Sequence, residues 1–304
     1  MSAPPSRYRL YGLTVDSPLR LPCPRVRISG EPDVRLTPGR AARFAEARRH
    51  VSNRPGAWFR SSVLPDGTTY LGWTGLFEFL IAPDATEVVY RRLAGAARES
   101  FNVYLLGHVL SFVLAARGTE ALHSTVVLVG GGAVAFLGDC GYGKSTLGAA
   151  FLARGFPILT DDLAALDAHR GRWAVHRGIP RVKLLPSTAK RVLGPKVRGT
   201  PMNGGTAKLV LPLEAAGAGD GPAPLRAIYV LADPATQRRT RRVCIQAATG
   251  RSAFLEIVRA AFNLSVVDRA RLSNQFRTAA QLVAEVPIRR LSYPRAVSQL
   301  PAVC

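Results

Sequence analysis

The fold of this chain is decided by one short stretch, Gly138-Asp139-Cys140-Gly141-Tyr142-Gly143-Lys144-Ser145-Thr146. It matches the phosphate-loop (Walker A) pattern G-x-x-x-x-G-K-[ST], whose glycines let backbone amides approach a phosphate. An apolar run, residues 133–137, enters the loop, and residues 147–153 leave it at helical spacing. A glycine turn before an ordinary helix is the alternative. Because a loop at a helix N-terminus binds polyphosphates, we predict that residues 138–146 bind a nucleoside triphosphate.

Two adjacent carboxylates, Asp161 and Asp162, follow one helix downstream and end a predicted strand over residues 157–162. Lys144 is expected to reach the β- and γ-phosphates, and the Ser145 hydroxyl to ligate Mg²⁺, with a strand-end carboxylate as second metal anchor. Successive strand side chains point to opposite sides. One Asp is therefore expected to hold the metal while the other accepts a hydroxyl proton. The alternative is that both are turn or capping residues.

His123 stands just before a strand predicted over residues 124–129, which leads through Gly130-Gly131-Gly132 into the strand that feeds the loop. Its strand is expected to run beside the loop strand. Contact with Asp161, whose ionisation it would then set, is therefore geometrically possible. A structural role for this histidine is the alternative.

The series formed by His123, the hairpin, the loop and Asp161-Asp162 resembles the C-terminal catalytic domain of the HPr kinase/phosphorylase family, over roughly residues 120–300. The resemblance implies an α/β P-loop kinase fold of the phosphoenolpyruvate-carboxykinase type that uses ATP and Mg²⁺. It also implies that Asp161 is the base toward a seryl hydroxyl with His123 as its partner. Asp162 and Ser145 are then the metal-side pair.

Two later segments, residues 178–186 and 291–295, look like stand-alone HPr-kinase-related proteins, some of which belong to lasso-peptide biosynthetic clusters. This implies a peptide or small protein as partner, and the hexameric HPr kinases raise the expectation of a homo-oligomer. The sequence departs from the family at Cys140, where a serine is usual, and at the bulky Tyr142. Residues 197–199 are only a fragment of the signature for phosphorylase work, so phosphorolysis is not predicted.

Three further cations are candidate substrate or phosphate contacts: Arg181, Lys183 and Lys208. Phosphoryl transfer needs positive charge around the transferring group in addition to positioning. Ordinary surface placement is the alternative in so basic a chain. We therefore expect these side chains to lie near the loop if they are functional.

Charge alone selects no partner for this chain. Its 304 residues carry 41 basic and 20 acidic side chains, a formal net charge of +21. The excess is arginine spread along the chain, with no recognition helix or RNA-binding aromatic motif. We therefore predict a generally basic surface and no dedicated nucleic-acid binding.

The four cysteines are scattered without a C-x-x-C pair, so neither a zinc ribbon nor a disulfide framework is indicated. No run of 18 or more apolar residues and no signal-peptide core is present. These features predict a cytoplasmic protein with no membrane span.

Three segments are predicted along the chain: a small β-rich N-terminal domain over residues 1–95, a linking helix over 96–118 and the nucleotide-binding catalytic domain over 119–304. Short β-branched and aromatic runs predict the N-terminal strands, at residues 8–15, 33–36, 58–64, 68–73, 77–81 and 87–91. Apolar spacing predicts later helices over 253–262 and 269–286, and Gly, Pro and Ala predict loops over 194–205 and 215–224.

The function expected from these residues is that of an ATP- and Mg²⁺-dependent kinase acting on a hydroxyl, most specifically a serine of a peptide or small protein. A ribosomal natural product such as a lasso peptide is the sharpest variant. A small-molecule kinase is the runner-up. A non-catalytic ATP-binding regulatory protein is the third hypothesis, and the Asp161-Asp162 pair argues against it because a sensor needs no base.

Overall fold

The computed structural model describes residues 5–52, 56–169, 171–214, 221–237, 242–262 and 268–304. The chain divides into two compact units, Met1–Arg117 and Gly118–Cys304. Each unit combines strands with helices, so the expected mixed α/β class is confirmed. Residues 215–220 of the predicted loop over 215–224 lie outside the described residues.

A seven-stranded sheet, in the order β1-β2-β3-β7-β6-β5-β4, forms the first unit. β2, β3 and β7 run parallel to one another, and the remaining neighbours are antiparallel. The strands are β1 (Ser6–Leu10), β2 (Leu13–Ser17), β3 (Val34–Pro38), β4 (Phe59–Val63), β5 (Thr69–Trp73), β6 (Phe77–Ile81) and β7 (Glu87–Arg92).

The prediction of one strand over residues 8–15 is wrong. The chain reverses at Tyr11 and Gly12, whose φ angles are 56° and 84°, so β1 and β2 form a hairpin instead. A short helix, α1 (Ala41–Arg49), was also missed, because only Phe44 and Ala47 are buried on it. This is too sparse an apolar stripe for a periodicity signal.

The helix predicted from residue 96 is present as α2 (Arg98–Tyr104), a π-helical segment (Leu105–Val109) and α3 (Leu110–Ala116). Its rings pack with those of β5 and β6, as in the contact of Phe101 with Phe79 at 5.4 Å between centroids. Among the described residues it is the one helical stretch long and apolar enough to cross a membrane, and 72% of its most apolar window is buried inside the protein. Core helices also meet this criterion, so it is weak evidence for a span.

The second unit is built on another seven-stranded sheet, in the order β11-β10-β8-β9-β15-β17-β16, with a separate three-stranded sheet, β12-β14-β13. The larger sheet consists of β8 (Ala121–Val129), β9 (Gly132–Leu137), β10 (Ile158–His169), β11 (Arg172–Val175), β15 (Ala223–Leu231), β16 (Cys244–Ala247) and β17 (Ile288–Ser292). The smaller one consists of β12 (Arg181–Leu184), β13 (Thr200–Asn203) and β14 (Thr206–Pro212).

Helices cover both faces of the larger sheet. They are α4 (Lys144–Leu152), α5 (Pro186–Leu193), α6 (Pro234–Gln237), α7 (Gly250–Arg259) and α8 (Arg269–Glu285), followed by a 3-10 segment (Val297–Ala302). Strand alternation divides the core. Val126 belongs to the cluster that contains Ile257 and Leu282 of α7 and α8. Its neighbour Val127 belongs to the cluster that contains Leu147 of α4.

Strands β9 and β15 are parallel and adjacent, so their carboxyl ends lie at one edge of the sheet. The predicted phosphate loop leaves β9 at this edge. In open α/β sheets this is the edge where ligands bind. The fold therefore brings the loop and the residues that follow β15 together.

Two expectations about the site strands are wrong. β8 begins at Ala121, so His123 lies inside the strand instead of before it. The strand predicted over residues 157–162 does not end there, because β10 runs without a break over Ile158–His169 and pairs with β8. Asp161 and Asp162 therefore lie within a strand, not at its end.

Candidate active site

The loop between β9 and α4 depends on glycines for its path. Gly138, Gly141 and Gly143 have φ angles of 141°, 87° and 91°, in the region that side chains other than glycine rarely adopt. A Cβ on Gly138 would also lie only 2.9 Å from the Tyr142 ring. The loop thus exposes its backbone, as a phosphate cradle requires.

Lys144 begins α4 and is buried, with 6% of its surface exposed. Its Nζ donates to the carbonyl oxygens of Gly138 at 2.6 Å and Asp139 at 3.2 Å. Burial lowers the pKa of this ammonium, although the charges of Asp162 and Asp161 oppose the shift. The lysine ammonium is therefore held against the backbone of the loop itself.

Asp161 is the carboxylate that faces the loop helix. Its Oδ1 accepts hydrogen bonds from the hydroxyls of Thr125 at 2.6 Å and Ser145 at 2.8 Å, and its Oδ2 accepts one from the Lys183 amide at 3.0 Å. Three donors from three different elements fix this buried side chain. Carboxylate and hydroxyl oxygens side by side are a donor set that suits Mg²⁺. Thr146 follows in the first turn of α4.

Asp162 has a different environment. Its backbone φ is 92°, a conformation that costs a non-glycine residue about 1–3 kcal/mol and is concentrated at functional sites. Its Oδ2 lies 2.5 Å from Lys183 Nζ, and its Oδ1 lies 3.9 Å from His123 Nε2. Burial alone would raise the pKa of Asp162, but Lys183, through its charge and its hydrogen bond, and the charge of Arg181 hold that pKa well below its usual range.

The pairing of the two carboxylates is thus the reverse of the expected one. His123 was expected beside Asp161, and Ser145 beside Asp162. The structure places Ser145 against Asp161 and His123 nearer Asp162. The reason is geometric: alternation sends the two side chains to opposite sides of β10, but it does not determine which side faces α4.

Burial lowers the pKa of His123, and the positive charges of Lys144 and Lys183 add to the effect while Asp162 opposes it. The imidazole also stacks on Phe262, with 5.6 Å between ring centroids and 18° between planes. The imidazole is therefore held nearly parallel to the Phe262 ring. It favours the neutral form, in which one ring nitrogen accepts a hydrogen bond.

The three predicted cations lie around these groups. Arg181 and Lys183 are buried in β12, beside β10. Lys208 is half-buried in β14, and its charge helps to lower the pKa of Lys144. The structure therefore brings all three near the loop and the carboxylates, as expected for contacts to phosphate.

A cavity of about 570 Å³ opens beside the loop. His123 lines it, as do Gly138, Asp139, Cys140 and Tyr142 of the loop. The opposite wall consists of residues that sequence reasoning missed, which include Asp233, Glu256, Arg259, Phe262 and Arg290. They come from the segment after β15, from α7 and the residues that follow it, and from the middle of β17. Because these elements are far apart in sequence, no local motif identifies them.

No family model and no curated protein matches this chain. Among solved structures it is similar to the HPr(Ser) kinase/phosphatase from Coxiella burnetii, with 10% sequence identity and a TM-score of 0.33. The match covers 60% of this chain and 90% of that chain. A functional conclusion therefore has to rest on the residues of the site.

Proposed function

We propose that the second unit is an ATP- and Mg²⁺-dependent phosphotransferase that moves the γ-phosphoryl group to a hydroxyl. One observation carries this proposal: two neighbouring carboxylates of one strand have different partners. Asp161 lies 2.8 Å from the Ser145 hydroxyl of the phosphate loop. Asp162 lies beside His123, which lines the cavity. A protein that only binds ATP has no use for this second carboxylate.

The donor half of the site consists of the loop amides, Lys144, Ser145 and Asp161. The amides and Lys144 bind the phosphates. Within the described ranges, no group of three or more His, Cys, Asp or Glu side chains forms a metal site. The Ser145 hydroxyl and the Asp161 carboxylate, 2.8 Å apart, would hold the Mg²⁺ that accompanies the nucleotide. When bound, the ion neutralises charge that develops on the phosphates.

The acceptor half consists of Asp162, His123 and the cavity. The acceptor oxygen forms a bond to the γ-phosphorus, the bond from this phosphorus to the ADP oxygen breaks, and the hydroxyl proton passes to Asp162. Because the transition state is loose, the hydroxyl loses its proton late. A carboxylate of low pKa is then sufficient. Lys183 holds the carboxylate in place, and neutral His123, which lines the cavity, would accept a hydrogen bond from the acceptor.

The volume of the cavity limits the size of the acceptor. Its volume of about 570 Å³ admits a side chain with a few neighbouring residues, as a serine in a flexible peptide presents them. A ribosomal natural product such as a lasso peptide stays within this proposal as the most specific acceptor, on the sequence resemblance alone. The same volume favours a small-molecule acceptor as second candidate, since pockets for such ligands measure about 300–1,000 Å³.

The test is transfer of ³²P from [γ-³²P]ATP to serine peptides and small alcohols, with Asp162→Asn as the diagnostic variant. We expect the wild type to label an acceptor and Asp162→Asn to label it at least about 100-fold more slowly. Arg251→Ala, an exposed change in the first turn of α7, is the control. If the wild type binds ATP but neither transfers nor hydrolyses it, the proposal is wrong.

A further inference from the structure

The last part of the chain runs beside the phosphate loop. Tyr293 and Leu300 are buried, and both belong to the core cluster that contains Leu147 and Phe151 of α4. The Tyr293 hydroxyl would lie 3.3 Å from a Cβ on Gly143. Residues that follow the last strand therefore form part of the support of the loop.

Arg295 makes the direct contact. Its Nη2 donates to the carbonyl oxygen of Tyr142 at 3.1 Å, and its Nη1 lies 3.5 Å from the carbonyl oxygen of Gly141. A guanidinium presents its donors in a rigid, planar fork. One side chain therefore fixes two successive peptide groups of the loop.

The contact with Arg295 determines the direction of the Gly143 N–H. The Tyr142 carbonyl and the Gly143 amide belong to the same trans peptide group, so they point to opposite sides. If Arg295 fixes the carbonyl, it aims the Gly143 N–H away from itself, across the loop. Donation to the carbonyl also polarises the peptide group, which makes this N–H a better donor.

We infer that Arg295 is a positioning residue for nucleotide binding: it holds the peptide group between Tyr142 and Gly143 so that the Gly143 N–H meets a phosphate. The ligand class is a nucleoside di- or triphosphate. The inference rests on the proposed function only in that the loop binds such a nucleotide. It does not require phosphoryl transfer. It also makes the C-terminal segment part of the binding site.

The test is calorimetric titration of the full chain with Mg·ATP and Mg·ADP, without an acceptor. We expect Arg295→Ala to raise both dissociation constants about tenfold, the factor for one charge-assisted hydrogen bond. Arg295→Lys should recover part of the loss, since an ammonium still reaches one carbonyl. Arg289→Ala, an exposed arginine of β17, should stay within about twofold of wild type.

Thermal unfolding of the same variants without nucleotide separates positioning from folding. We expect Arg295→Ala to keep the melting temperature and to lose part of the ATP-induced rise. Arg295→Gln replaces it if the alanine variant does not fold. The inference is wrong if the Arg295 variants bind both nucleotides as tightly as the wild type. It is also wrong if the wild type binds neither nucleotide. The wild type could also bind ATP but transfer no phosphoryl group, while the Arg295 variants bind ATP more weakly, as expected. That result would support the inference about Arg295 and reject the proposed function.

Discussion

The Ser145 hydroxyl lies 2.8 Å from Oδ1 of Asp161 and joins the first turn of α4 to the middle of β10. This bond connects the helix that follows the predicted phosphate loop to the strand that carries both carboxylates. In the proposed function, the carboxylate this close to the loop hydroxyl serves the donor nucleotide and its metal. The neighbouring Asp162 is then left for the acceptor.

The first prediction concerns the metal side. Asp161→Asn removes a negative charge next to Ser145, so we expect transfer to need about tenfold more Mg²⁺ for half-maximal rate. Titration of the rate with Mg²⁺ at fixed ATP measures this. Asp167→Asn, in the same strand but paired with His176, is the matched control. An unchanged Mg²⁺ requirement in Asp161→Asn would place the metal elsewhere.

The second prediction concerns the buried ion pair. Lys183 Nζ lies 2.5 Å from Asp162, and the side chains are 8% and 23% exposed. Asp162→Ala leaves the ammonium buried without this carboxylate, so we expect a loss of about 3–5 kcal/mol in the free energy of unfolding. Asp162→Ala with Lys183→Met should recover most of it. Urea denaturation measures both. Equal stability of the single and double variants would contradict this interpretation.

The third prediction is a pH dependence. The folded pKa of His123 lies below its ordinary value of 6.5, so the unfolded chain binds this proton more readily than the folded one. Neutral His123 therefore makes its full contribution to the free energy of unfolding above pH 6.5. This contribution is lost as the pH falls through the folded pKa. We expect the wild type to lose more stability than His123→Gln below pH 6.5. Denaturation curves that shift equally would contradict it.

The fourth prediction concerns the loop thiol. Cys140 is exposed and lines the cavity, so a maleimide added there obstructs the loop. We expect the reagent to abolish ATP binding, ATP to slow the modification, and Cys140→Ser to resist it. Cys244 is also exposed, and Cys244→Ser serves as control because it should remain sensitive. Loss of ATP binding in modified Cys140→Ser would assign the effect to another thiol.

The fifth prediction concerns the cavity wall. Arg259 ends α7 and lines the cavity opposite the loop. If the acceptor occupies this cavity, Arg259→Glu should raise the KM for a peptide acceptor by about tenfold and leave the affinity for ATP unchanged. Steady-state kinetics with each substrate varied separates the two. A change in ATP affinity alone would assign the cavity to the nucleotide.

The local part of the site was accessible from sequence. The strand β9, the loop from Gly138 to Thr146 and the helix α4 follow one another directly along the chain. A local sequence pattern is therefore enough to predict them. The choice of Lys144, Ser145, Asp161, Asp162 and His123 as site residues remains a prediction about function. Their proximity, however, is a feature of the fold.

The arrangement of those residues was not accessible. Which carboxylate faces Ser145 depends on the register of β10 against β8, where Asp161 pairs with Thr125 and Asp162 with Ser124. It also depends on the positive φ at Asp162, which no residue pattern signals. Arg295 lies about 150 residues beyond the carbonyls it binds, so only the tertiary structure reveals its role.

A single-turnover experiment tests whether Asp162 accepts the proton of the acceptor hydroxyl. It compares wild type, Asp161→Asn and Asp162→Asn, with ATP affinity measured on the same samples. We expect Asp162→Asn to bind Mg·ATP within about threefold of wild type yet to transfer the phosphoryl group at least about 100-fold more slowly. Transfer by Asp162→Asn at the wild-type rate would contradict it.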